Sequence, residues 1–128
     1  MSLDYTVSTT KTVNDSVTAL TASLKEHGFG VLAVLDFHEI LKQKGVELGR
    51  EYRLLEVCNP KAAKDIMDKD LRVGLLLPCT IAVYDEKHST RISLLKPSSL
   101  LGLLPESHLE EIGAEMEATL KNAVDQAC

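Results

Sequence analysis

The chain has 128 residues, a net charge of −5, 45% apolar residues and 26% charged ones. This length and balance fit one globular domain, residues 1–128, and exclude a disordered chain. The acidic balance, with no cluster of Lys and Arg, disfavours nucleic acid as a partner.

No apolar run is long enough for a bilayer span and no signal-peptide pattern opens the chain, so no membrane partner and a cytoplasmic location are expected. Aromatics make up 4% and Trp is absent, so the core must be aliphatic. Three cysteines without framework spacing speak against structural disulfides.

Residues 2–8 alternate, with Leu3, Tyr5 and Val7 on one side, which predicts a half-buried strand. A helix follows, with Thr12 as N-cap, a stripe of Val13, Val17, Leu20 and Leu24, and Gly28 beyond its end. "FGVLAVLD" is a continuous apolar run up to its final Asp36 and reads as a central strand. Asp36 caps a short helix over 37–44, closed by Gly45. "REYRLLEVCN" is the next strand. Asn59 then caps a helix over 60–69, with Pro60 at its first position and Ala62, Ala63, Ile66 and Met67 as its inner face.

Residues 78–97 read as a β-hairpin around a polar turn, Asp85 to Ser89. "SSLLGLLP" is a leucine-rich link; some of its leucines are expected to meet a partner subunit. Ser107 and Glu110 form a capping box for the last helix, whose stripe is Leu109, Ile112, Met116, Leu120, Ala123 and Ala127. The fold class is therefore α+β: one largely antiparallel sheet of about five strands, two long helices on one face, and the other face open.

Glu56, Cys58, Asn59, Pro60, Ala63, Gly74, Leu77, Pro78, Cys79 and Tyr84, at this spacing, resemble the bacterial and archaeal family called domain of unknown function 302. The resemblance covers nearly the whole chain. It implies a curved, TATA-binding-protein-like (TBP-like) sheet and homodimers, and it implies no activity. A fold does not carry its namesake's function with it.

Strand parity locates the candidate site. Leu54, Glu56 and Cys58 share one face; Leu55 and Val57 take the other. Cys79, Ile81 and Val83 go with the core, so the two thiols fall on opposite faces. Parity gives the open face Glu56, Thr80, Ala82, Tyr84, Arg91 and Ser93. Glu56 is expected to be wet or paired with Arg53 or Arg91. The candidate ligand-binding residues are Glu56, Cys58, Asn59, Tyr84 and Arg91; the candidate thiols are Cys58 and Cys79.

No metal site and no cofactor are expected. The four histidines are scattered, and neither C-x-x-C nor a phosphate loop is present. The leading reading is a homodimeric module that takes a small-molecule ligand on the open face. The rival is a thiol-dependent enzyme, or a redox- or metal-responsive protein, using Cys58 or Cys79 with Glu56.

Overall fold

Inward-pointing aliphatic side chains on neighbouring strands organise the chain. The structure, a computed structural model, describes residues 2–104 and 108–128. Its strands are β1 (Asp4–Thr9), β2 (Gly30–Asp36), β3 (Tyr52–Cys58), β4 (Cys79–Glu86) and β5 (Ser89–Leu95). Its α-helices are α1 (Val13–Glu26), α2 (Phe37–Gln43), α3 (Pro60–Lys69), α4 (Pro97–Leu101) and α5 (Glu110–Ala127). A 3₁₀ turn, Leu71–Leu76, leads from α3 toward β4.

The strands form one five-stranded antiparallel sheet in the order β1-β5-β4-β3-β2. Leu55 lies opposite Ile81, Val83 opposite Ile92, and Ile81 also opposite Leu94. These side chains are fully buried, together with Val57, beneath α1 and α5. Burying each such aliphatic group stabilises the fold by about 1.5–3 kcal/mol. Leu20 and Leu24 of α1, and Leu120, Ala123 and Val124 of α5, complete the layer. Two polar contacts tie β1 to α5: the Tyr5 hydroxyl donates to Asp125 at 2.6 Å, and Lys121 Nζ lies 5.3 Å from the Tyr5 ring centre.

The helix starts follow from local chemistry. Thr12, Asp36 and Asn59 each accept a hydrogen bond, at 3.1 Å, from the backbone amide three residues on. Gly28 follows α1 with φ +83°, a conformation that strains residues carrying a Cβ.

Several expectations need correction. The apolar strand β2 lies at an edge of the sheet, not at its centre. Leu32, Val34 and Leu35 are exposed there, because no element among the described residues covers the outer side of β2. The hairpin is tighter than expected: Lys87 and His88, both at positive φ, make the turn between Glu86 and Ser89. The leucine-rich link contains the helix α4, and Leu101 packs into the core while Leu103 is 69% exposed.

Met67 of α3 faces outward more than its neighbours Ala63 and Ile66. The Ser107 cap lies outside the described residues; α5 starts at Glu110, preceded by Leu109 without a side-chain cap.

The packing predicts a sharp contrast between two leucines. Leu120 is fully buried, and Leu120→Ala should cost about 2–5 kcal/mol. Leu71 is among the most exposed apolar residues, and Leu71→Ala should change stability by about 0.5 kcal/mol or less. Urea denaturation of both variants checks the contrast.

Candidate functional site

The same register that buries Leu55 and Ile81 turns their neighbours to the other face. Tyr52, Leu54 and Glu56 of β3 lie opposite Tyr84, Ala82 and Thr80 of β4. Ala82 and Tyr84 lie in turn opposite Ser93 and Arg91 of β5. A shallow groove of about 460 Å³ runs over this face, lined by Leu3, Asp4, Tyr52, Leu54, Thr80, Ala82, Tyr84, Ser93 and Leu95.

Its floor is apolar and aromatic. The Tyr52 and Tyr84 rings stack, with centres 5.2 Å apart and planes 12° apart. Phe37 of α2 meets Tyr52 edge-on at 6.2 Å. Beyond Tyr52, a second apolar hollow of about 290 Å³ lies between Phe37, Leu41, Leu48, Tyr52 and Leu54.

The expected site residues divide. Tyr84 lines the groove and shares a 3.1 Å hydrogen bond with Ser93 Oγ. Glu56 is half-buried at the other end, where the Thr80 hydroxyl approaches both its carboxylate oxygens, at 3.1 and 3.2 Å. No cation among the described residues pairs with Glu56; of the two expectations, wet or paired with Arg53 or Arg91, the pairing fails. Arg53 points to the helix side instead, toward Glu51, Asp36 and Asn14. Arg91 donates to Ser8 Oγ at 2.8 Å and faces Glu86 at 3.8 Å, so it is engaged outside the groove.

Cys58 is half-buried at the end of β3, opposite Gly30. Asn59 caps α3 and borders a separate cleft on the helix side with His27, Lys61 and Asp65. Neither lines the groove. Tyr52, Phe37, Leu3, Asp4 and Leu95 were not singled out from the sequence. Tyr52 has the parity of Leu54 and Glu56, Leu95 that of Arg91 and Ser93, and Asp4 alternates with Tyr5, so that signal was available for all three. Leu3, expected on the side of Tyr5 and Val7, lies before β1 and lines the groove instead, and Phe37 reaches the face through tertiary placement alone.

Cys79 is 6% exposed and belongs to the core cluster. Burial, reinforced by Cys58 and Glu56 nearby, pushes its thiol up to about 12. Such a thiol is almost entirely protonated at neutral pH and is a poor nucleophile. All three cysteines are free.

One further cluster has metal-ligand chemistry. Donor atoms of Asp36, His38 and Glu51 lie within 4.8 Å of one another. Arg53 already sits among them, 2.7 Å from Glu51 and 3.5 Å from Asp36. His38 lies 3.5 Å from Glu51 and 3.9 Å from Glu47. The guanidinium supplies the positive charge that these carboxylates need, and Asp36 also caps α2. A bound cation would have to compete with it. A concavity of about 440 Å³ at the start of α1 is walled mainly by polar residues, Thr9, Lys11, Asn14, Glu51, Asp85 and His88 among them, with Val13 beside them.

The site yields two checks. Cys79→Ser places a hydroxyl in an apolar layer and should cost about 1–3 kcal/mol. Glu56→Gln, on the wet face, should change stability by about 1 kcal/mol or less. Thermal melts of the two variants would separate them.

The Cys79 thiol also makes stability depend on alkaline pH. In the unfolded chain it ionises near its ordinary value of 9.0; in the folded protein it stays protonated to about 12. The unfolded state therefore loses its proton first, and this contribution to stability falls between those two values as pH rises. Chemical denaturation from pH 8 to 11 should show the decline, and Cys79→Ala should reduce it.

The comparisons with known proteins agree with this architecture. The family model for "Domain of unknown function DUF302" matches residues 5–127. A solved structure, the uncharacterized conserved protein DUF302 from Bacillus stearothermophilus, is 36% identical. The match covers 100% of both chains, with a TM-score of 0.96. No curated protein matches the chain.

Proposed function

The chain belongs to the DUF302 family, and we propose that it is a homodimeric binding module that takes a small molecule on the open face of its sheet. The observation that carries this reading is the groove over β3, β4 and β5. It combines a stacked tyrosine pair and aliphatic walls with a few polar groups, Thr80, Ser93 and the neighbouring Glu56. Apolar floors with few polar groups are what small-ligand sites offer.

Among the described residues, Asp4 is the one charged residue that lines the groove, and no Lys, Arg or His lines it. This supports a neutral or cationic ligand with a flat apolar body. A phosphate-rich or carboxylate ligand would find no counter-charge. The thiol-dependent reading is weakened by Cys79, whose burial holds it protonated.

Amide chemical shifts during titration with a set of aromatic amines and their carboxylic-acid counterparts test the proposal. The amines should shift residues 52–56, 80–84 and 91–95, and the acids should not. Tyr84→Ala should weaken binding roughly tenfold, since losing one aromatic contact costs about 0.5–1.5 kcal/mol beyond the buried area. Shifts confined to the cleft at the start of α1, or no shifts at all, would refute the reading.

A further inference from the structure

Resting on the homodimer reading above, we propose that β2 and α2 form the dimer seam, with the β2 strands of two copies pairing antiparallel about a two-fold axis. β2 is an edge strand, so its outer backbone groups lack a strand partner. Water can solvate such a row of N–H and C=O groups, but a second strand pairs it group for group.

The edge also lacks the usual protection. Gly30–Asp36 contains no Lys and no Pro; a single bulge near Leu32 is its one irregularity. Of the ten large apolar side chains exposed among the described residues, five lie between positions 32 and 46: Leu32, Val34, Leu35, Ile40 and Val46. Leu32 is 65% exposed. α2, which follows directly, has no buried residue. A seven-residue helix has little stability of its own and needs packing to hold it.

Charge selects a second copy as the occupant. Asp36, at the end of the strand, is the one charge in β2. Antiparallel self-pairing sets the two Asp36 side chains at opposite ends of the seam, about 20 Å apart by strand rise. No like charges then meet. The opposite edge, β1, differs: Asp4, Thr6 and Ser8 alternate with the inward Tyr5 and Val7. Two-fold pairing closes the assembly with one seam and leaves only these polar edges outside.

The experiment uses two double variants of the full chain, Leu32→Lys with Val34→Lys, and Leu32→Glu with Val34→Glu. Both positions are exposed, so the fold should tolerate either pair. Sedimentation equilibrium at micromolar concentration reads the mass. The wild type should run at twice the 14.0 kDa chain mass. Each variant alone should run as a monomer, its dimer weakened roughly 100-fold or more by like charges at the seam. An equimolar mixture of the two variants should restore the dimer.

A monomeric wild type would overturn both the homodimer reading and the seam. A dimeric wild type whose two variants also stay dimeric would overturn the seam alone. Monomeric variants that fail to pair when mixed would overturn the seam as well.

Discussion

Antiparallel register is the constraint on which the rest of this molecule depends. Leu55, Val57, Ile81, Val83, Ile92 and Leu94 must all meet α1 and α5, and they do so only in one pairing of β3, β4 and β5. A slip of one residue would turn Glu56, Thr80 and Arg91 toward the helices and expose the aliphatic set. The cost would be many buried aliphatic groups at once, so the register is strongly held. The open face is a by-product of this demand. Tyr52, Leu54, Glu56, Thr80, Ala82, Tyr84 and Ser93 are aligned there because their neighbours are aligned beneath.

What the chain does with that face is less uniform than a solvated sheet requires. Thr6, Thr80 and Ser93 would suit water. Tyr52 stacked on Tyr84, Phe37 against Tyr52, and Leu54 between them would not. The aromatic residues gather toward β3 and α2, while the acidic and hydroxyl groups lie toward β1 and the Glu56 end. The face therefore has an apolar end and a polar end. That gradient is what the proposed amphipathic ligand would be oriented by.

Much of this was legible in the residues. Alternation placed Leu55, Val57, Cys79, Ile81, Ile92 and Leu94 inward, because a half-buried strand has period two and no other choice. The caps at Thr12, Asp36 and Asn59 were legible because capping is a local hydrogen bond between neighbours in sequence. β2 was not. Six residues without a charge, Gly30 to Leu35, read as a strand covered on both faces, the pattern of a central strand. Within one chain the inference of a central strand was reasonable; the strand order puts β2 at the edge. That Arg53 cannot serve Glu56 was legible in the same alternation, although the pairing was among the expectations. Arg53 alternates with it along β3 and so falls on the other face, where Glu51 and Asp36 hold it.

The two edges of the sheet carry this argument one step further. Sheet ends are dangerous when flat and apolar, and β1 is neither: polar side chains alternate along it, and Tyr5 and Lys121 fasten it to α5. β2 receives no such treatment, although the ionic cluster of Asp36, Arg53, His38 and Glu51 holds its end firmly to β3 and the start of α2. A strand that is anchored at its end and left apolar along its length presents a defined, rigid surface. Such an edge is the kind of surface on which the proposed pairing of two copies would act. The same ion cluster also sets α2 beside Tyr52, where Phe37 closes one end of the aromatic row. The fastening that shapes the edge thus also shapes the groove, and a perturbation at Arg53 should be felt at both.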